Sequence, residues 1–336
     1  MKKYIEKLRN KEHLSQAEIE EFLHGVMSGS IPSEIISDFL LALNAKGPTI
    51  DEITGAAKLL QKFYIPVPTH HEIILDTCGT GGDQKHTFNI STIVAFVVAG
   101  CGVIVAKHGN RSVSSSCGSA DVLEALGVNL NMDNDRLGTC LDEVGIAFLF
   151  AQKLHPAMKN VAAVRKALGV KTIFNILGPL INPARATHQI MGVYRRELID
   201  PIAEVLKNLG LKKALVVHGG DGLDEITTTT KTYVSEWDGA QIVAYDIEPN
   251  ELGIPIAEDQ ALKGGDVAFN AKIVDNILSG QAGPQRDIVL LNAAYALYAA
   301  DKVGDIGQGL QLAADSIDKG LALKKLQDLK EFSNQK

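Results

Sequence analysis

Apolar residues recur at helical spacing through about the first 65 residues of the chain. The segment "SQAE", Ser15–Glu18, is a capping box, in which the serine hydroxyl binds a free backbone N–H and the glutamate bonds back to the cap residue. Ile19, Phe22, Leu23 and Val26 follow on one helical face. The pattern therefore predicts an amphipathic helix that begins just after Ser15.

Two more helices are predicted before this pattern breaks. "SIPSEIISDFLLALNAKG" predicts a helix from near Pro32 to Gly47, because proline favours the first turn of a helix and glycine ends one. "TIDE", Thr49–Glu52, is a second capping box, and its helix should run to about Phe63. "YIPVPTHHE" then introduces two prolines. We place a domain boundary there and predict a small helical domain over residues 1–66.

After this boundary the hydrophobic pattern changes, and it predicts short apolar strands that alternate with helices. "EIILDTCG", "CGVIVAKHG" and "KKALVVHGG" are typical of buried strands, and "SADVLEALG", "HPAMKNVAAVRKALG" and "IDPIAEVLKNLG" of helices closed by glycine. "DIVLLNAAYALYAA" predicts a buried helix, and the tail "DKGLALKKLQDLKEFSNQK" an exposed one. Residues 70–336 should therefore form a larger α/β domain, with a mainly parallel central sheet covered by helices.

Composition and charge narrow the function classes. The chain has 336 residues, 46% of them hydrophobic, which is typical of a folded protein rather than a disordered one. The net charge of -7 argues against a nucleic-acid-binding protein, which usually carries a basic surface. The N-terminus has no apolar signal segment. The longest apolar run, Thr92–Ala106, is short for a membrane span and is broken by Gly100 and Gly102, so we expect a buried helix leading into a buried strand.

Cysteine usage indicates a reducing compartment. The chain has four cysteines with no CxxC pair, and their spacing fits no compact zinc-ligand pattern. They are Cys78, Cys101, Cys117 and Cys140. We expect reduced thiols in a cytoplasmic protein.

A glycine-rich stretch, "DTCGTGGDQKHTFNIST" at residues 76–92, separates a predicted strand from a predicted helix with Asn89 or Ser91 near its cap. Such a turn predicts an anion site, because backbone N–H groups are unpaired there and the helix dipole favours negative charge. Hydroxyls of Thr87, Ser91 and Thr92 could add donors. The alternative is a tight turn and nothing more. The stretch matches neither the P-loop nor the dinucleotide-binding pattern.

A second polar loop, "KHGNRSVSSSCGSADVLEALG", follows a strand "VIVA" that should end at Lys107. His108, Asn110 and Arg111 come next, and Ser119 is placed to cap the following helix. Because the carboxyl ends of parallel strands meet at one edge of a sheet, both loops should open on the same side, where open α/β sheets bind ligands. The alternative is a solvated polar loop.

An acidic turn, "DGLDEITTTT", follows the strand "ALVVHGG". Asp221, Asp224 and Glu225 suit Mg²⁺, a hard cation that is often shared with the phosphates of a ligand. A solvated acidic turn is the alternative explanation for any one such pair of carboxylates. Beside two anion-binding loops, we favour the metal.

His155 and Arg165 stand ten residues apart, close to a whole number of helical turns. The planar guanidinium of Arg165 could pair with a carboxylate. From spacing alone, a surface arginine on an amphipathic helix is the simpler interpretation.

Taken together, these segments carry a family resemblance. "GTGGD", "NIST", "KHGNR", "GSADVLEALG", "HPAMKNV", "TIFNILGPLINPA" and "GLDEI" occur in this order, and over nearly its whole length the chain resembles the anthranilate phosphoribosyltransferases of tryptophan biosynthesis. The resemblance implies transfer of the 5-phosphoribosyl group from 5-phosphoribosyl 1-diphosphate (PRPP) to the amine of anthranilate, with release of diphosphate. It also implies Mg²⁺ as cofactor and a homodimer joined through the small helical domain.

The same resemblance implies site residues at the matching positions. Those for PRPP are Gly79, Gly82, Asp83, Thr87, Asn89, Ile90, Ser91, Thr92, Lys107 and Ser119. Those for Mg²⁺ are Ser91, Asp224 and Glu225. Those for anthranilate are Gly79, Asn110, Arg165 and Gly178, with His108 and His155 at the pocket wall. Two positions depart from the family pattern: Lys171 stands where arginine is frequent, and Ser116 where a basic residue is often seen.

The implied chemistry agrees with the residue types. Loss of diphosphate leaves an oxocarbenium-like ribose, so the protein mainly has to stabilise a leaving group rich in negative charge. The aromatic amine of anthranilate is neutral at neutral pH, so no residue is required as nucleophile or strong base. Two rival functions are a pyrimidine-nucleoside phosphorylase and a non-catalytic relative that binds nucleic acid. The complete "KHGNRSVSSSCGSADVLEALG" run and Arg165 favour an aromatic acid as substrate.

Overall fold

The computed structural model describes residues 1–112 and 117–335. Its N-terminal part consists of four α-helices: α1 Lys2–Arg9, α2 Gln16–Met27, α3 Ser33–Lys46 and α4 Ile50–Leu60. Both predicted capping boxes are confirmed, with Ser15 and Thr49 as the cap residues. The prediction that α4 reaches Phe63 is wrong, because the helix ends at Leu60 and the chain continues as a turn.

A seven-stranded sheet organises the rest of the chain, in the order β3-β2-β1-β4-β5-β6-β7. The strands are β1 Leu75–Gly79, β2 Val105–Gly109, β3 Ile146–Phe150, β4 His188–Gly192, β5 Lys213–Gly219, β6 Thr232–Trp237 and β7 Ile242–Ile247. The strands from β3 across to β5 pair in parallel, and β6 and β7 form an antiparallel edge. The predicted α/β class is confirmed. The strand order reverses direction between β1 and β4, which is where doubly wound sheets open a ligand crevice.

Eleven further α-helices of the described residues surround this sheet. They are α5 Ile90–Gly100, α6 Ser119–Ala125, α7 Asn134–Glu143, α8 Ala151–Leu154, α9 Lys159–Leu168, α10 Phe174–Leu177, α11 Ile199–Asn208, α12 Val267–Leu278, α13 Pro284–Ala299, α14 Ile306–Asp318 and α15 Leu321–Asn334. The buried helix α5 leading into β2, and the buried helix α13, are confirmed. The prediction of an exposed tail helix is wrong, since α15 buries Ala322, Leu326 and Leu329 and packs against α5.

Two hydrophobic cores flank the sheet. One contains the apolar side chains of α5, α13 and their neighbours. The other joins the N-terminal helices to α9, α10, α11 and the opposite face of β4 and β5. The N-terminal helices therefore hold α9 and α10 in place, and these two elements reach the carboxyl edge of the sheet described below.

The described residues show no helix that is long and apolar enough to cross a membrane. Within the same part of the chain the four cysteines are thiols rather than disulfides.

Candidate active site

The glycine loop begins at the point where the strand order reverses. Gly79 at the end of β1 pairs with Gly192 at the end of β4, and both strands run in the same direction. The second polar loop follows β2, on the other side of β1. The expectation that both loops open on one edge of the sheet is therefore confirmed. The predicted end of β2 at Lys107 is wrong: the strand runs on to Gly109, so Lys107 lies inside it.

The acidic turn after β5 lies directly over these two glycines. A Cβ on Gly79 would stand 2.6 Å from Oδ2 of Asp224, and a Cβ on Gly192 would overlap the carbonyl oxygen of Asp224. The backbone N–H of Gly81 donates to Oδ2 of Asp224 at 2.7 Å. Glycine is thus required at both strand ends because Asp224 packs onto the backbone there. Gly192 belongs to no recognisable sequence motif, so its role could not be predicted from the sequence.

Gly192→Ala tests this close approach. We expect the new methyl group to displace Asp224 and to lower the free energy of unfolding by about 3 kcal/mol, the upper range for overpacking in a rigid interior. Chemical denaturation measures the change. Gly304→Ala is the matched control, because a Cβ at Gly304 meets no atom within 4 Å. Equal stability of the two variants would contradict the packing described here.

Three carboxylates meet in this crevice. The backbone N–H of Asp224 lies 3.4 Å from Oδ2 of Asp83, and Oε1 of Glu225 accepts from the backbone N–H of Ser91 at 3.2 Å. Burial raises the pKa of Asp224 well above its usual range, and the charges of Asp83 and Glu225 raise it further. Burial likewise raises the pKa of Glu225 to about 7, although Lys107 opposes the shift. Carboxylates held so close are stabilised by a divalent cation.

These residues fit Mg²⁺ only as part of its coordination. Within residues 1–112 and 117–335, no group of three or more His, Cys, Asp or Glu side chains could hold a metal ion alone. Mg²⁺ usually keeps several water or phosphate ligands and takes one or two carboxylates from the protein. The arrangement therefore suits an ion that is shared with a phosphate-bearing ligand.

Lys107 supplies a buried positive charge beside the carboxylates. Its Nζ donates to the carbonyl oxygen of Thr77 and lies 3.3 Å from Oγ of Ser91. Burial lowers the pKa of Lys107, and the charges of Asp76 and Glu225 raise it. The ammonium thus lies at the N-terminus of α5, beside the helix dipole, where an anion is doubly favoured.

Asp76 and Asn182 form a buried hydrogen-bonded pair whose carboxylate interacts with the charge of Lys107, and no sequence motif predicts a role for either residue. The Asp76 carboxylate accepts from the backbone N–H of His108 at 3.0 Å and from Nδ2 of Asn182 at 2.8 Å. Asn182 also donates to the carbonyl oxygen of Ala106. Burial raises the pKa of Asp76, and the Asn182 hydrogen bond and the charge of Lys107 oppose the shift. Asp76 opens the glycine stretch in the sequence, but its partners come from distant segments.

The start of α5 places the remaining residues expected for the phosphates. Asn89 occupies the cap position without capping through its side chain, and instead donates to the carbonyl oxygen of Cys117. Ile90 and Thr92 are buried, whereas Thr87 and Ser91 are partly exposed. The expectation that Ser119 caps α6 is wrong. Gly118 is the cap residue, and its backbone N–H donates to the Asp121 carboxylate at 2.9 Å. Ser119 is the first residue of the helix, and its hydroxyl donates to the carbonyl oxygen of Asn110.

Two buried histidines form a neutral pair beside the crevice. Nε2 of His108 lies 3.0 Å from Nε2 of His155, and the His108 ring also bonds the backbone carbonyl of Gly178. One Nε2 of the pair donates its proton to the other, so each ring is held in its neutral form. Burial lowers the pKa of His108 well below the usual range and that of His155 to about 4. This wall of the crevice is therefore uncharged at neutral pH.

The depressed pKa of His155 predicts a pH dependence of stability. Because its pKa is lower in the folded than in the unfolded chain, stability is lost as pH falls from about 6.5 towards 4. His155→Gln keeps a hydrogen-bond donor without the titration. We expect the variant to lose less stability over this range, by up to about 1.4 kcal/mol per pH unit. Urea unfolding at several pH values measures it, and parallel curves for the two proteins would contradict it.

Arg165 lies on α9 with its guanidinium over the ring of Phe174, at 5.7 Å from the ring centroid. Burial lowers its pKa, and within residues 1–112 and 117–335 no carboxylate forms an ion pair with it. The expectation that His155 and Arg165 share one helix is wrong, because His155 precedes the short 3₁₀ turn Pro156–Met158 and α9 begins at Lys159. A half-buried guanidinium without a counter-ion is suited to bind the carboxylate of a ligand.

Direct contacts thus join Gly79, Asp83, Ser91, Lys107, Asp224 and Glu225 into one cluster, and His108, His155 and Gly178 into another. Asn110 is exposed at the loop after β2, where its Oδ1 accepts from Gln152. Ser116, one of the two departures, lies outside the described residues.

Comparisons with known proteins place this architecture in a class. The a/b domain of a glycosyl transferase family matches residues 71–323, and the helical bundle domain of the same family matches residues 2–63. The chain belongs to this class of two-domain glycosyl transferases. An anthranilate phosphoribosyltransferase from Petrotoga mobilis is 47% identical over 98% of this chain and 96% of its own length, and one from Symbiobacterium thermophilum is 48% identical over 99% and 98%.

Solved structures of anthranilate phosphoribosyltransferases are also similar to this chain. The enzyme of this name from Thermus thermophilus matches with a TM-score of 0.94 and 40% identity over 99% of each chain. That from Saccharomyces cerevisiae in complex with PRPP and Mg matches with a TM-score of 0.90 and 28% identity over 98% of this chain and 97% of the other. The Saccharomyces cerevisiae enzyme has also been solved with 4-fluoroanthranilate. Within the class, the chain belongs to the anthranilate phosphoribosyltransferase family.

Proposed function

We propose that the crevice between β1 and β4 binds PRPP, Mg²⁺ and anthranilate together. The chain is an enzyme that transfers the 5-phosphoribosyl group of PRPP to the amine of anthranilate, giving N-(5-phosphoribosyl)anthranilate and diphosphate in tryptophan biosynthesis, with Mg²⁺ as cofactor. The observation that carries the site assignment is the cluster at the strand reversal, where carboxylates, a buried lysine and a helix N-terminus face one crevice.

In this proposal the phosphates of PRPP lie between the glycine loop and α5. The site is lined by residues of the loop, by residues before and within the first turn of α5, and by two residues from elsewhere. They are Gly79, Gly82 and Asp83, then Thr87, Asn89, Ile90, Ser91 and Thr92, and finally Lys107 and Ser119. Because Ile90 and Thr92 are buried, they contribute through their backbone. Ser91, Asp224 and Glu225 hold Mg²⁺, which when bound neutralises charge on the departing diphosphate. Lys107 adds a fixed positive charge to the same region.

Anthranilate lies on the other side of the crevice. Arg165 binds its carboxylate, Asn110 and the backbone of Gly79 and Gly178 contact the ring, and His108 and His155 form the wall. The support is that the Arg165 guanidinium has no carboxylate partner within the described residues and that the histidine pair is neutral. Holding the amine near C1 of the ribose makes the attack effectively intramolecular. No side chain acts as nucleophile or strong base, because the aromatic amine is already neutral.

A fluorescence assay of anthranilate consumption tests the function. Purified protein is given PRPP and anthranilate, with Mg²⁺ in one arm and EDTA in the other. We expect consumption only when PRPP and the metal are both present. A folded protein that consumes no anthranilate, but cleaves thymidine or uridine with phosphate, would instead support the phosphorylase.

We further propose a cytoplasmic homodimer, with residues 1–66 as the dimerisation domain and residues 70–336 as the transfer domain. The exposed Leu41 on α3 offers an apolar contact on the helical domain, and the thiol state of the cysteines fits a reducing compartment. Sedimentation velocity tests the assembly. A species of twice the chain mass of 36.0 kDa is expected, and a monomer at micromolar concentration would contradict the proposal.

A further inference from the structure

Two cations share one tyrosine ring at the carboxyl end of β4. Nζ of Lys171 lies 3.5 Å from the centroid of the Tyr194 ring, and the guanidinium of Arg195 lies 5.6 Å from it. The backbone N–H of Tyr194 donates to Oγ1 of Thr80 at 3.1 Å, which joins the backbone at Tyr194 to the glycine loop. We call Lys171, Tyr194 and Arg195 the cation cluster.

The cluster lies against the glycine loop. Nζ of Lys171 donates to the carbonyl oxygen of Gly82 at 2.6 Å, and a Cβ on Gly82 would stand 3.2 Å from the Lys171 side chain. An ammonium has three donors, and this bond occupies one of them. The other two N–H donors of Lys171 face the Tyr194 ring or the loop, and they can donate to a ligand bound there.

The charges around Lys171 indicate that an anion belongs there. Burial lowers the pKa of Lys171, and Arg195 lowers it further because two like charges stand side by side. The charges of Asp83 and Asp224 raise the pKa of Lys171. Within the described part of the chain, however, neither Lys171 nor Arg195 forms an ion pair with a carboxylate. Two neighbouring cations without a paired carboxylate favour the binding of a phosphate or carboxylate group.

We propose that Lys171 and Arg195 bind the diphosphate group of PRPP from the side of the glycine loop opposite Lys107. This rests on the function proposed above. Diphosphate is favoured over the carboxylate of anthranilate because Lys171 contacts the glycine loop itself and lies close enough to Asp224, a carboxylate assigned to Mg²⁺, to interact with its charge. Lys171 also connects α9, with Arg165, to that loop, so a diphosphate held by Lys171 fixes the segment that leads to the anthranilate site.

Calorimetric titration with inorganic diphosphate in the presence of Mg²⁺ tests the proposal without turnover. Lys171→Met should raise the dissociation constant of diphosphate about tenfold, as expected for loss of one charged hydrogen bond. Lys171→Arg should bind more tightly than Lys171→Met and within about threefold of the wild type, since the positive charge is kept at the loop. Arg195→Met should weaken binding less, because Arg195 is exposed.

Arg196→Met is the matched control, because Arg196 lies over a different ring, that of Tyr233, at 3.7 Å. It should bind diphosphate as the wild type does. The KM of Lys171→Met for PRPP should rise while that for anthranilate changes little. Unchanged diphosphate binding by Lys171→Met, or equal loss in Lys171→Arg and Lys171→Met, would overturn the proposal. The anthranilate-consumption assay of the wild-type protein tests the proposed function independently. If the wild type is active but Lys171→Met binds diphosphate normally, the proposed role of Lys171 is refuted and the proposed function is not.

Discussion

Arg165→Ala is expected to raise the KM for anthranilate about a hundredfold, the cost of losing a bidentate charged contact with a carboxylate. The KM for PRPP should change less than about threefold, since within residues 1–112 and 117–335 no ion pair or side-chain hydrogen bond joins Arg165 to the glycine loop or to Lys107. Steady-state kinetics with each substrate varied in turn measures both values.

Lys166→Ala is the matched control for this variant. Lys166 is the next residue of α9 and is exposed, so its loss changes the charge of the helix without reaching the crevice. It should leave both KM values unchanged. Equal increases in the two KM values of Arg165→Ala would refute the assignment of Arg165 to anthranilate.

Asp224→Asn is expected to lower kcat/KM for PRPP about a thousandfold, because it removes a charged ligand from the proposed Mg²⁺ site and with it stabilisation of the departing diphosphate. The same change should not unfold the protein. Asp224 is held ionised only at a cost, since burial and two neighbouring carboxylates raise its pKa. The amide can still accept from Gly81, so the variant should melt at the same or a higher temperature in EDTA.

Metal titration separates this effect from damage to the fold. Mg²⁺ with diphosphate should raise the melting temperature of the wild type and have a smaller effect on Asp224→Asn, because a ligand stabilises only the state that binds it. Asp259→Asn is the control, since that carboxylate pairs with Lys85 outside the carboxylate cluster. A variant that keeps full activity, or one that is inactive only because it is unfolded, would contradict the role of Asp224.

The local elements of the fold could be predicted from the sequence because their signals are local. Ser15 and Thr49 cap helices through contacts three residues away, and the alternation of strands and helices requires no long-range information. The burial of α15 could not be predicted in the same way. Its apolar face is covered by α5, which lies more than two hundred residues earlier in the chain.

The residues of the site likewise fall into those that could be predicted from the sequence and those that could not. The glycine loop, Lys107 and the acidic pair are visible in the sequence because each is a compact motif after a strand. Gly192, Asn182 and Tyr194 are not, because their importance arises only where β4 meets β1 and its loop. The sequence does allow the prediction that His155 lies outside α9. Pro156 follows His155, and the residue before a proline is biased away from the helical conformation.

A crystal structure of the enzyme with PRPP, Mg²⁺ and anthranilate bound is the most direct test of the proposed site. We expect diphosphate between the glycine loop and the start of α5, Mg²⁺ on Ser91, Asp224 and Glu225, and the anthranilate carboxylate within hydrogen-bond distance of Arg165. PRPP bound at any other edge of the sheet, or anthranilate bound with its carboxylate away from Arg165, would contradict it.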